Sequence, residues 1–323
     1  MKAAVITTAG QPPVYADAPE PSPKAGELLL RVQASALSQL AKGRAAGTHY
    51  SADNVLGTIA GVDGVGLTDD GRRVYFALPD APNGAMAERT AVPASRIIEL
   101  PEEIDTIEAA AIANPGMSVR TALVLRANFQ PGETVLINGA TGAAGKLCVQ
   151  VARHLGAGRI LVSGRNAAAL EELRALGADI VVPFSIDASN EGSQAFEDAL
   201  KPHVAEGIDV VIDYLWGASA QTILTTIAKA AESTSPVRFV QVGSMSGGNI
   251  QLPSAALRSS PLVLMGSGLK SVPLDRLLDS VSNIFRIYKA AGLQVSTKTV
   301  PLTNVSTTWL QDSRERIVFT TQS

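Results

Sequence analysis

Apolar residues in the first third of the chain come in short runs broken by glycine and proline. Residues 28–37, 71–78 and 85–92 are the clearest of these runs. Such runs, bounded by turn-formers, predict strands and together a twisted, mainly antiparallel β region. Residues 101–113 predict a helix, with Glu102, Glu103 and Asp105 placed to complement the dipole at its start. From about Thr121 the pattern changes. Apolar runs at 135–139, 159–164, 179–184, 209–215, 238–243 and 262–267 alternate with other segments. Two of those segments, 146–155 and 166–176, read as helices, the first with Leu147, Val151 and Leu155 on one face. The runs are apolar throughout rather than alternating, as strands of a parallel sheet buried on both faces must be. This pattern predicts an α/β doubly wound parallel sheet. A last helix is expected at 274–291, with strands at 295–302 and 316–321. So short a tail cannot bury a core of its own, so it is expected to return to the first β region.

The totals agree with a large buried core. Of 323 residues, 46% are apolar and 18% charged, enough for two domains and too apolar for disorder. A formal charge of −3 without a basic run gives no electrostatic footing for nucleic acid. No apolar run approaches the ~18–20 residues that span a bilayer. The first residues read as strand and turn rather than a secretory leader, so a cytoplasmic protein is expected. The single cysteine, Cys148, excludes an internal disulfide and a cysteine-based zinc lobe.

The chemistry concentrates after the strand at 135–139. The chain there reads Ala140-Thr141-Gly142-Ala143-Ala144-Gly145 and runs into a helix. This is G-x-G-x-x-G with Ala in its first position. Gly142 would let the backbone approach a pyrophosphate, and Gly145 would let helix and strand pack closely. The free N–H groups at the helix start would face the phosphates. An ordinary tight strand–helix turn is the plainer reading of these glycines alone. The next strand ends in Ser163-Gly164-Arg165-Asn166. An NAD site has Asp or Glu about 20 residues past the glycine turn, to bind the ribose 2′-hydroxyl. Here Arg165 offers a guanidinium suited to a 2′-phosphate, which favours NADPH unless Arg165 is only a solvated loop residue. A P-loop is excluded because Ala140 replaces its first glycine and Leu147 its hydroxyl residue. None of the tyrosines has Lys four positions on, as a short-chain dehydrogenase would.

Over its whole length the chain resembles the medium-chain dehydrogenase/reductase superfamily, in its zinc-free quinone oxidoreductase branch. The landmarks are Ala34-Ser35-Ala36-Leu37 followed by Arg44; Gly61-Val62-Asp63-Gly64-Val65-Gly66; Pro131-Gly132-Glu133-Thr134-Val135; Leu176-Gly177-Ala178-Asp179; and Val242-Gly243-Ser244. The resemblance implies a GroES-like, mainly antiparallel β domain for catalysis and substrate (1–120 and 268–323), interrupted by a Rossmann dinucleotide-binding domain (121–267). It implies an active site in the cleft between them and a homodimer formed along the sheet edge at 262–267. It also implies NADPH as cofactor, with Thr121, Phe184, Val242, Gly243 and Ser244 joining the glycine turn and the Ser163–Asn166 segment in holding it. Zinc-dependent relatives place Cys near Ser38 and His near Val62, so no metal is expected. His49, His154 and His203 do not form a ligand set: His154 falls on the helix after the glycine turn and His203 in a later connection.

The implied reaction is hydride transfer to a small quinone or α,β-unsaturated carbonyl compound. Tyr50 is the candidate proton donor, or else only lines the cleft. Ser38 replaces the family's Asn near the nicotinamide, and Ala41 an Asp. Arg44 would hold substrate or cofactor, or form a structural salt bridge. Tyr214 and Trp216 follow a strand at the sheet's carboxyl edge and would stack on a flat substrate or simply pack. A zinc-free alcohol or carbonyl dehydrogenase and a non-catalytic NADPH-binding sensor remain as alternatives.

Overall fold

A computed structural model describes residues 1–52, 56–186 and 190–321. The chain forms two compact units, residues 1–114, 281–289 and 294–323 in one and 115–280 and 290–293 in the other.

The strands of the first unit begin with β1 (Lys2–Val5), β2 (Val14–Asp17), β3 (Glu27–Ala36), β4 (Asp63–Leu67), β5 (Arg73–Ala77), β6 (Arg89–Pro93) and β7 (Ile97–Glu99). The second unit contributes β8 (Thr134–Asn138), β9 (Arg159–Gly164), β10 (Ile180–Pro183), β11 (Val210–Asp213), β12 (Val237–Gln241) and β13 (Leu262–Gly266). The tail adds β14 (Thr297–Pro301) and β15 (Arg316–Thr320).

In the first unit β1 and β2 form a hairpin, and a larger sheet runs β14-β15-β3-β4-β5-β7 with β6 also on β3. All its pairings are antiparallel except β14 with β15. The tail thus returns through β15 onto β3, where Phe319 joins Leu37, Met86 and Trp309 in a buried cluster. The glycines of the 61–66 landmark are packing residues. A Cβ on Gly64 would lie 2.7 Å from the Ala34 carbonyl oxygen, and one on Gly66 2.7 Å from that of Arg31. Side chains there would push β4 off β3.

The second unit carries a six-stranded sheet in the order β10-β9-β8-β11-β12-β13, parallel throughout. Numbered within the unit, this is 3-2-1-4-5-6, the doubly wound arrangement. The order reverses between β8 and β11, which opens a crevice at their carboxyl ends. The helices Ala143–His154, Asn190–Ala205 and Gly217–Ala230 belong to this unit. His203, expected in a connection, lies in the second of them. Its apolar residues Phe196, Leu200 and Val204 reach the core, so tertiary burial holds the segment helical through Pro202. Among the described residues no helix is long and apolar enough to cross a membrane.

Candidate functional site

The turn after β8 is built from three glycines spaced by three. Gly139 takes φ +86°, a left-handed conformation that favours glycine, and a Cβ there would lie 2.8 Å from Leu215 Cγ. Gly145 is confined differently: a Cβ would sit 2.5 Å from Ala140 Cα. Without one, the helix Ala143–His154 packs directly on the turn. Gly142, the residue before that helix, has only the Gly139 oxygen near its missing Cβ, at 4.0 Å. No side chain caps the helix start. Its first N–H groups therefore have no side-chain acceptor, with the positive end of the helix dipole behind them. Ala140, Thr141, Ala143 and Ala144 supply the rest of the turn. Gly139 is the functional residue that sequence reasoning missed, because the G-x-G-x-x-G spacing puts its first position one residue further on, at Ala140.

Beside the turn, β9 delivers Ser163, Gly164, Arg165 and Asn166. Ser163 is fully buried. Arg165 is exposed and makes no hydrogen bond or ion pair with another described residue. Asn166 caps the next helix, its Oδ1 accepting from the Ala169 N–H at 3.0 Å. Phe184 is buried against Phe196, and its N–H donates to the Gly164 carbonyl at 3.0 Å. It therefore supports the β9 tip from beneath. On the other side of the crevice, the N–H groups of Val242 and Gly243 both donate to the Asp213 carbonyl, at 2.8 and 3.1 Å. These bonds fold the 242–244 segment over the end of β11. Thr121, in a π-helical stretch (Thr121–Arg126), is buried and donates to Ser280 Oγ at 3.3 Å.

The residues after β11 pack inward. Tyr214 turns its buried hydroxyl toward the Cys148 thiol, and burial pushes both groups up, the thiol to about 12. That suits a core thiol rather than a reactive one. Trp216 stands edge-on to Phe239 at 6.3 Å. Both aromatic residues thus pack on the second unit's core, Tyr214 through its buried hydroxyl and Trp216, half-buried, against Phe239. Asp213 is fully buried, and desolvation raises its pKa to about 6 against the pull of its hydrogen-bond donors.

Ser38, Arg44 and Tyr50 lie in the first unit. Ser38 is buried and caps the helix Gln39–Ala45, its Oγ accepting from the Ala41 N–H at 3.0 Å. Arg44 is half-buried, and burial together with its charge lowers the pKa of His49. His49 Nδ1 lies 2.8 Å from Ser51 Oγ, and its ring is 4.1 Å from that of Tyr50. The Tyr50 side chain is largely exposed. The same unit buries a trio that the sequence did not single out. The Tyr75 hydroxyl donates to Asp63 Oδ2 at 3.2 Å, and the Arg316 guanidinium acts on both. Burial raises the Asp63 pKa to about 6, against Arg316 and Tyr75. Asp63 Oδ1 and Arg316 Nε and Nη2 are inaccessible and without hydrogen-bond partners among the described residues. Among the described residues no cluster of three or more His, Cys, Asp or Glu could hold a metal.

Comparison with known proteins agrees with this architecture. The zinc-binding dehydrogenase family matches residues 143–277. A probable NADPH-dependent quinone reductase of Emericella nidulans is 25% identical over 349 residues, covering 96% of each chain. A 2-methylene-furan-3-one reductase of Solanum lycopersicum is 27% identical over 60% of this chain and 50% of its own. Among solved structures, the quinone oxidoreductase of Thermus thermophilus, also determined with NADPH, superposes with a TM-score of 0.79 at 26% identity. That match covers 99% of this chain and 100% of the other.

Proposed function

The chain belongs to the medium-chain dehydrogenase/reductase superfamily, in its quinone oxidoreductase branch, and from that premise we propose that it is an NADPH-dependent reductase of quinones or α,β-unsaturated carbonyl compounds that works without zinc. One observation carries the cofactor: an uncapped helix start beyond Gly142 and, at the end of the adjacent strand, an exposed Arg165 unpaired among the described residues. The first suits a pyrophosphate and the second a 2′-phosphate. Ser38 and Val62 stand where zinc-dependent relatives carry ligands, which supports zinc-independence.

In this reading the N–H groups at 143–145 hold the pyrophosphate. Gly164, Arg165 and Asn166 read the phosphorylated ribose with Ser163 buried behind them, the Asn166 amide N–H groups remaining free of its capping bond. Thr121, Val242, Gly243 and Ser244 complete the cofactor set, and Phe184 steadies Gly164. When bound, NADPH supplies the hydride for an electron-poor carbon. Tyr50 is the proposed proton donor and Arg44 the proposed anchor for substrate. The alcohol dehydrogenase alternative needs a proton relay, yet Ser38 Oγ already caps a helix and His49 Nδ1 already engages Ser51. Residues 1–120 and 268–323 would serve the substrate, and 121–267 the cofactor.

A cytoplasmic homodimer belongs to the same proposal. The β13 edge supports it: it pairs only with β12 among the described strands and exposes Val263 and Leu264 on opposite faces.

The test is a fluorescence titration with NADPH and NADH, wild type against Arg165→Ala. NADPH is expected to bind at least about tenfold tighter, about 1.4 kcal/mol, and the variant to lose that margin. Equal affinities in the wild type would remove Arg165 as the 2′-phosphate reader. Absence of turnover with any quinone or enal would remove the reductase assignment.

A further inference from the structure

Three buried polar residues form a lateral row across the carboxyl edge of the parallel sheet. Ser163 in β9 is in register with Asn138 in β8, and Asn138 with Asp213 in β11. Side chains in register on neighbouring parallel strands share a face. All three residues are completely inaccessible. They form one chain of hydrogen bonds. Ser163 Oγ donates to Asn138 Oδ1 at 2.9 Å. Asn138 Nδ2 donates to Asp213 Oδ1 at 2.8 Å and to Ser219 Oγ at 3.0 Å. The Asp213 carboxylate then accepts from the N–H of Leu215 at 3.0 Å and of Trp216 at 3.0 Å.

The last of these bonds restrains a strained residue. Trp216 has φ 57° and ψ −151°, close to a region occupied essentially by glycine. Strain of this kind persists only where the surroundings over-determine the conformation. Two constraints are present: the carboxylate holds the Trp216 N–H, and Phe239 meets its ring. The consequence reaches the crevice. The loop that begins at Asp213 lays the Leu215 side chain against Gly139, at the start of the glycine turn.

We propose that Asn138 and Asp213 are positioning residues for the cofactor: through the strained Trp216 peptide, Asp213 holds Leu215 against the glycine turn and sets the β11 half of the crevice relative to the β9 half. This rests on the NADPH reading above. A dinucleotide at the switch point spans both halves of the sheet. Arg165 assigns the phosphorylated ribose to the β9 side, so the β11 side takes the nicotinamide half. A fault in the row should therefore weaken the whole dinucleotide while sparing its phosphorylated adenosine end.

The experiment measures binding of NADPH and of 2′,5′-ADP to wild type, Asp213→Asn and the double variant Asn138→Asp/Asp213→Asn. Circular dichroism and melting temperature are recorded on each, with kcat and KM for a quinone. Asp213→Asn can keep an oxygen where Oδ1 accepts from Asn138 and Leu215, but then sets an amide N–H against the Trp216 N–H. In the double variant the new amide at position 213 can turn over, its N–H donating to the new carboxylate at position 138 and its oxygen accepting from the Trp216 N–H. NADPH affinity is expected to fall at least about tenfold in Asp213→Asn, 2′,5′-ADP affinity to stay within about twofold, kcat to fall, and the double variant to recover part of both losses. Parallel loss of both ligands, or lower melting temperature with unchanged nucleotide affinity, would make the row a structural brace and overturn the proposal. A wild type that binds 2′,5′-ADP and NADPH normally beside an unaffected Asp213→Asn overturns the proposal alone. A wild type that binds neither nucleotide removes the NADPH reading, and this proposal with it.

Discussion

Gly142 and Gly145 stand three residues apart and carry different demands. A methyl group on Gly145 meets the Ala140 backbone, which cannot yield, whereas one on Gly142 meets almost nothing. Gly145→Ala is therefore expected to lower the melting temperature by several degrees, a cost of about 1–3 kcal/mol, and to abolish nucleotide binding. Gly142→Ala should melt near the wild type yet bind NADPH at least about tenfold more weakly, because its methyl group enters the open space at the helix start. Differential scanning calorimetry with nucleotide titration separates the two effects. Asp63 gives a second residue-level test. Its folded pKa of about 6 lies above its ordinary value of 3.8 because of burial. Its contribution to stability is present in full below pH 3.8 and is lost as pH rises through 6. Asp63→Asn removes this dependence. It also leaves Arg316 without its countercharge, a cost nearly constant across this window. The variant's stability relative to wild type should thus improve by about 1–3 kcal/mol between about pH 4.5 and about pH 7.5, read from denaturant midpoints at each pH. A flat difference would mean that Arg316 keeps Asp63 ionised throughout.

At the scale of the element, the six strands of the parallel sheet were legible as short apolar runs; β8, β9 and β11 are buried on both faces, whereas β13 leaves Val263 and Leu264 exposed. The helix Gly217–Ala230 was not. Its threonines carry poor helix propensity, and three of their hydroxyls bond back to carbonyls a turn earlier: Thr222 to Ala218, Thr225 to Gln221 and Thr226 to Thr222. Packing of Ile223, Leu224 and Ile227 on the sheet is what holds it helical. The edge strand β13 carries its own prediction. Val263→Lys places a charge on an unpaired edge without touching the core, so it should fold normally. Sedimentation should find the wild type as a dimer and the variant as a monomer. An unchanged mass would place any dimer contact elsewhere.

Across the whole molecule, each unit has its own sheet and its own buried clusters. A ligand that binds only the folded second unit should stabilise that unit. At about 100 times Kd the gain is about 2.7 kcal/mol. Hydrogen exchange with NADPH should slow most at residues 134–145, 159–166 and 210–217, and least in the strands of the first unit. Uniform protection would contradict a cofactor site built from the second unit's glycine turn. Local pattern alone determined the two fold types, the glycine turn and the strand that leads into Arg165, because each depends on residue type and spacing along short segments, and the tail's return followed from its being too short to bury a core of its own. Only the tertiary structure decided that Gly139 must be glycine, that Tyr214 and Trp216 pack inward, that Asp63 meets Tyr75 and Arg316, and that Ser163, Asn138 and Asp213 form one row. Those contacts join residues far apart in the chain, and burial sets their energies; no spacing within a single strand encodes either.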